Sequence, residues 1–506
     1  MSVDSGILQF APKGAYYEEK DAQFKVVHKM WEDLLTFNRT LFALVSILPG
    51  TGFSKGMMNH MLLANPQSTT GKELIPEGLS FDFETKVILY NLDKEKTPRA
   101  LKNLLFLAGA EKRKRVNNAR TRKIILRYIF DRDNKSLGYL AVNYKAKLKT
   151  LVRHAIGKQD VYKILQGDQK VFEKLIGKYN MDALPVMCHV FNAELPLRKA
   201  MPIFPELVHY ESMKQAAIKG NLKTFRSCIK DVPFRTAMGF RNLYKLDIDK
   251  SEILEQGQMS KKDELQTEAA VKRSGGKARD VDYKSQDVYD LLKVLHFKAQ
   301  KNEGENVENI LDALEQQCLK LPKIDIGDVA IILDASKSMA GSNERPLHPF
   351  LTGLSIVASF KNETIKDVIT VGGKQLTGGN FSAYVITPAN DTDLSKALPR
   401  AVKSGAKTIV LISDGYENTV KGMFNHTFQH FKKKTPELEL IHLNPVFSAD
   451  AKAGTSRMVV ENVKPLPVSS YKFLETELIF KQMLENPAVI EKLLVSKYQK
   501  LIGKES

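Results

Sequence analysis

Two short segments carry side chains able to hold a hard metal ion. One reads Leu333-Asp334-Ala335-Ser336-Lys337-Ser338 and the other Ile412-Ser413-Asp414-Gly415. Each closes an apolar run that reads as a buried strand, DVAIILDAS and KTIVLISDG. Carboxylate and hydroxyl oxygens are hard donors, so they suit Mg²⁺ first and Ca²⁺ or Mn²⁺ after it. Asp391-Thr392-Asp393 lies between the two segments, at the start of a helical stretch, and offers a third oxygen source. Catalysis is not expected. Asp334 and Asp414 could work as paired carboxylates, but no His or Lys is placed beside them as a base. Ser336 has no G-x-S-x-G setting, and the chain holds neither a phosphate-binding P-loop signature nor HExxH.

A second constellation is basic. Lys112, Arg113, Lys114, Arg115, Arg120, Arg122, Lys123 and Arg127 crowd into one stretch, and Lys145, Lys147, Lys149, Arg153, His154 and Lys158 follow. Tyr128, Phe130, Tyr139 and Tyr144 lie among them. On a helix, Arg120, Lys123 and Arg127 share one face. Lys and Arg on phosphates, with aromatic rings on unpaired bases, is how single-stranded RNA is commonly held. A solvated charge run is the bland alternative. Arg120, Lys123, Arg127, Lys145, Lys149, Arg153 and His154 are the candidate RNA-lining residues, His154 the weakest because a lone helical His is more often packed or neutral.

The elements that position these groups differ between the two parts of the chain. The first part has helical period throughout: Leu101, Leu104, Leu105 and Ala108 after Thr97 as an N-cap and Pro98 in the first turn, then Val161, Ile164 and Leu165, then Val171, Phe172, Leu175 and Ile176. Short amphipathic helices in series must stack to bury their stripes, which predicts an α-solenoid or ring over residues 1–320. Residues 255–280 are charged and poor in large apolar side chains, and read as a mobile loop or linker. From Asp328 the pattern changes to apolar strands alternating with helices. DVITVGG, FSAYVITP and LELIHLNPVF read as further strands, and HPFLTGLSIVASFKNE and TDLSKALPRAV as helices. Uniformly apolar strands separated by helices predict a mostly parallel sheet covered on both faces. Residues 321–506 are therefore expected to form an α/β domain ending in helices. In such a sheet ligands collect at the carboxyl ends of the strands, which brings Asp334 and Asp414 to one edge.

The order D-x-S-x-S, then Thr before a helix, then a strand ending Asp-Gly, is the pattern of the metal-ion-dependent adhesion site. On Asp334, Ser336, Ser338, Thr392 and Asp414, residues 321–506 resemble the von Willebrand factor A family, which is Rossmann-like. The resemblance implies that Ser336 and Ser338 coordinate the ion directly. Asp334, Asp414 and Thr392 would do so directly or through water. An open coordination position would accept a partner's carboxylate or phosphate oxygen.

A helical array followed by an A domain also resembles the Ro RNA-binding proteins, which carry the TROVE domain. The likeness rests on Arg120-Thr121-Arg122-Lys123 through Leu148-Lys149-Thr150-Leu151-Val152-Arg153-His154, and on Pro233-Phe234-Arg235-Thr236-Ala237-Met238-Gly239-Phe240-Arg241-Asn242-Leu243. It implies a HEAT-like ring or arc that takes single-stranded ends of defective noncoding RNAs, with Y-type RNA on its outer surface. The chain departs from that family in a shorter segment before His154 and in the 255–280 insert.

Composition bounds the rest. The chain has 506 residues, 76 Lys and Arg against 58 Asp and Glu, and a net charge of +18. That surplus favours a polyanionic partner. Only three cysteines occur, Cys188, Cys228 and Cys318, so no disulfide framework is expected. No apolar run approaches the ~18 residues of a membrane span, and the N-terminus lacks a secretory pattern. The expectation is a cytoplasmic ribonucleoprotein component that binds RNA and a divalent cation, with no membrane partner. The rival expectation is an interaction or structural module whose cation captures an acidic residue of a protein partner.

Overall fold

A computed structural model describes residues 20–48, 52–65, 79–80, 82–110, 115–260, 263–264, 267, 281–301, 306–342, 345–375, 386–391, 393–417, 420–445, 459–463, 465–468, 470–476, 478–479 and 487–502. Its contacts divide into two compact units. One comprises residues 55–282 with 499–506, and the other residues 1–54 with 283–498.

The first unit is helical. Its elements used below are α1 (Phe83–Lys94), α2 (Ala119–Phe130), α3 (Asn134–Ile156), α4 (Leu184–Phe191), α5 (Pro205–Ile218) and α6 (Leu222–Cys228). Their starts follow from local chemistry. Asn118, Asp133 and Asn221 each accept a backbone N–H from three residues on, Thr121, Ser136 and Thr224, which satisfies a donor the first turn leaves orphaned. The helix over Thr97–Leu107 begins at Thr97 itself, one residue earlier than the sequence suggests, with Lys96 at the cap and Pro98 in the first turn. α3 is the long central element. Leu137, Leu140, Ala141, Leu148, Leu151, Val152 and Ala155 are buried along it, and it packs against α2, α4 and α5. Its backbone leaves helical geometry at Tyr144, where φ is −130°. Gly157 ends it at a φ of +86°, a region where a side chain is strained.

The second unit is α/β. Its elements used below are α7 (Val288–Gln300), α8 (Val307–Lys320), β1 (Val329–Ala335), α9 (His348–Val357), β2 (Ile365–Gly372), α10 (Leu398–Lys403), β3 (Thr408–Ile412), α11 (Met423–Lys434), β4 (Glu439–Asn444) and β5 (Leu466–Pro467). The five strands form one parallel sheet in the order β2-β1-β3-β4-β5. The two-residue period of a strand sends alternate side chains to opposite faces. Val329, Ile331 and Leu333 pack on one face with Phe350, Ile356, Val410 and Leu443. Ala330 and Ile332 pack on the other with Leu394, Leu398, Phe424 and Phe428. Every residue of β1 is buried, which explains why its sequence is continuously apolar rather than alternating.

The expected domain boundary at 320/321 and the division at 282/283 differ. Val288 and Leu292 of α7 cluster with Leu347 and Leu351 at the start of α9, and Leu314 and Cys318 of α8 pack on the same group. These two helices belong with the sheet. Of the expected 255–280 linker, a helix over Lys250–Gln256 occupies the first two positions; most of the remainder lies outside the described residues, as do positions 381–385 of FSAYVITP.

Candidate cation site and basic helical surface

After β1 the chain crosses to β2 on one side of it and then to β3 on the other. Because β3 then connects to β4 on its far side, the connections diverge between the carboxyl ends of β1 and β3, the position where open parallel sheets place their ligands. Asp334 stands there, fully buried. One carboxylate oxygen accepts the backbone N–H of Ser336 at 2.8 Å, and the other accepts the Ser413 hydroxyl at 2.7 Å. Register explains the second contact, because Leu333 pairs with Ile412 and the next residue on each strand is Asp334 and Ser413. Ser336 is buried, and its hydroxyl lies 2.9 Å from that of the exposed Ser338. Asp414 is 5% exposed, and its Oδ1 accepts the Tyr416 N–H at 3.0 Å.

A third segment is strapped to this edge by the backbone. The Ala389 N–H donates to the Ala335 carbonyl at 3.0 Å, and the Lys337 N–H donates to the Asn390 carbonyl at 3.1 Å. Asn390 has φ of +64°, in the left-handed region that Asn tolerates better than most residues. The exposed Asp391 follows. Thr392, named above as a ligand, lies outside the described residues. Asp393 is turned to its own helix: it accepts the Ser395 N–H at 3.2 Å and pairs with Lys396 at 3.4 Å.

Burial pushes the Asp334 carboxyl above its usual range, and the nearby Asp414 charge pushes it the same way. Two buried carboxylates close enough to repel, with the buried Ser336 and the exposed Ser338 hydroxyls beside Asp334, are hard-oxygen donors of the type a divalent cation takes. Among the described residues no three His, Cys, Asp or Glu side chains gather as a metal group; the set here needs the hydroxyls.

Two residues of this site were not picked out from the sequence. Ser413 orients Asp334, and its only signal is a polar residue closing an apolar strand. His442 on β4 donates from Nε2 to the Ser413 carbonyl at 3.0 Å. It is fully enclosed, and burial lowers its pKa from the usual 6.5 to about 4, so it is neutral. Its signal is a lone His inside an apolar strand.

The basic residues are on α2 and α3, and the structure sorts them. Arg120 donates to the buried Glu84 at 3.0 Å and to Thr85 at 3.0 Å, both on α1. Arg127 pairs with Asp131 at 3.2 Å one turn along. Lys145 lies 3.8 Å from Glu211 of α5. His154 is inside: Arg115 donates to its Nδ1 at 3.0 Å, and its Nε2 donates to the Val116 carbonyl at 2.8 Å. With both ring nitrogens used and the ring buried, His154 holds the α2 approach in place and offers nothing to a phosphate. That corrects its assignment as an RNA-lining residue. Lys123 and Arg153 are exposed and Lys149 is half-buried; the Arg153 guanidinium stands 5.5 Å over the Phe191 ring. Lys112, Arg113 and Lys114 lie outside the described residues.

Among the described residues no helix is long and apolar enough to cross a membrane. No protein-family model matches the chain, and no curated protein sequence matches it.

Proposed function

We propose that this chain is a non-catalytic RNA-binding protein of the Ro type, with a von Willebrand A-type α/β unit that holds a divalent cation, Mg²⁺ foremost. The observation that carries the RNA reading is a stripe on α3. Lys145, Lys149 and Arg153 recur every four residues, so they line one helix face. Arg153, at the end of that stripe, stands over an aromatic ring. A cation and a π-face side by side is the pairing that holds a phosphate and an unstacked base. The net charge of +18 supports the same partner. Arg120, Arg127 and Lys145, each beside a carboxylate, contribute less than the sequence suggested, and Lys123, Lys149 and Arg153 become the principal contacts.

The test is fluorescence anisotropy of a labelled single-stranded RNA with Lys123→Glu/Lys149→Glu/Arg153→Glu. Among the described residues these side chains have no buried carboxylate partner, unlike Arg120, so reversing them leaves the core intact. We expect affinity to fall at least 10-fold with an unchanged circular dichroism spectrum. Unchanged affinity removes the RNA face.

A second reading is favoured by the Asp334 cradle: the cation captures an acidic side chain of a protein partner, in an assembly role. Asp334→Ala separates the two. It is expected to abolish Mn²⁺ binding, measured by calorimetry, while RNA affinity stays within about 2-fold. Loss of RNA binding together with the cation would contradict two separate sites.

A further inference from the structure

We infer that a cavity on the helical unit reads the ribose 2′-hydroxyl of a bound strand, so that this unit distinguishes RNA from DNA. The inference rests on the RNA-binding reading above.

The cavity has a volume of about 590 Å³ and opens between the segment following α4 and helix α5. Asn192 and Glu194 stand on one wall, and Glu211, Ser212, Lys214 and Gln215 on the other. The volume lies within the range of small-ligand sites and admits one nucleotide unit. Glu211 joins the cavity to the basic stripe of α3. Its Oε1 accepts His189 Nδ1 at 3.0 Å and lies 3.8 Å from Lys145 Nζ, while Oε2 lies 3.6 Å from Lys214 Nζ. Phe191, beneath Arg153, directly precedes Asn192 of the wall. Lys145 and Phe191 thus bring the stripe up to the cavity's lining at two points, and on this proposal a strand whose phosphates follow Lys145, Lys149 and Arg153 passes its mouth.

The lining chooses the part of the nucleotide. Among the described residues no aromatic ring lines the cavity, so a base would find no stacking surface there. Two carboxylates, Glu194 and Glu211, face two lysines, Lys214 and Lys219, a balance that does not suit a phosphate alone. Carboxylates and amide oxygens are acceptors, and they match a partner that donates hydroxyl protons. The ribose is that partner, with the adjoining phosphate at Lys214. Its 2′-hydroxyl is the group by which a protein tells RNA from DNA. Glu211 is held by His189, Lys145 and Lys214, which leaves the exposed Glu194 and Gln215 as the adaptable readers at the rim.

The experiment uses the full chain and two labelled twelve-nucleotide probes, oligouridylate and oligodeoxyuridylate, which differ only in the 2′-hydroxyl. One hydrogen bond lost without replacement corresponds to about 5-fold in affinity. We expect the ribose probe to bind at least that much more tightly. Glu194→Ala and Gln215→Ala are expected to bring the ratio of the two affinities close to one, whereas Lys149→Glu/Arg153→Glu weakens both probes and keeps the ratio. Equal binding of both probes by the wild-type chain overturns the cavity assignment and leaves RNA binding standing. A ratio that persists in both cavity variants, with the fold intact, overturns it as well. Binding of neither probe overturns the RNA reading and the cavity together.

Discussion

Asp334 is made a candidate ligand by what surrounds it more than by its type. Its oxygens are aimed by one N–H and one hydroxyl, and Ser413 itself is fixed by His442 from the next strand. Such outer partners orient ligands and tune affinity. His442 also ties the site to pH. Its pKa falls from the usual 6.5 to about 4 on burial, so the unfolded chain binds the proton more readily than the folded one. Its contribution is therefore complete above about pH 6.5 and is lost as pH falls toward 4, at up to about 1.4 kcal/mol per pH unit. Urea unfolding of wild type and His442→Gln at pH 7 and pH 5 checks this. The stability gap between the two proteins is expected to shrink at pH 5; a gap that stays constant contradicts a buried neutral imidazole. Residue identity alone also misled at Arg120 and His154. A sequence displays a charge, but not the Glu84 that a helix 36 residues earlier brings to meet it.

The elements that carry the candidate site pack closely. Gly353 of α9 lies where an added Cβ would come within 2.8 Å of Leu333 Cδ1 and 3.2 Å of Ile412 Cγ2, so helix and sheet meet without room for a branched side chain. Gly353→Val should destabilise the unit by about 1–3 kcal/mol and lower its urea midpoint; an unchanged midpoint would mean that the contact yields freely. The strands were legible because a segment buried on both faces has no polar positions to interrupt it, as in Val329–Leu333. The parallel arrangement and the meeting of Asp334 with the Ser413-Asp414 segment followed from that. Partner choice did not. α7 and α8 have the same helical period as the helices of the other unit, and periodicity marks a buried stripe without saying what buries it. Only the packing of Val288 and Leu292 on Leu347 and Leu351 assigns them to the sheet.

At the scale of the molecule, the proposed function gives the two units different work. The α/β unit concentrates hard oxygen donors at one sheet edge, and the helical unit carries the α3 stripe with a polar cavity beside it. An interaction built on phosphates displaces condensed counterions, so its strength depends on salt in a way that an acidic-residue contact at one cation does not. The most direct test measures RNA affinity by anisotropy across a series of salt concentrations, for wild type and for the Lys123, Lys149 and Arg153 reversal variant. The account predicts a steep linear fall of log K with log salt in the wild type. In the variant the slope is flatter by about 0.7 for each phosphate contact removed. A wild-type affinity indifferent to salt, or a variant slope identical to the wild type, would contradict it.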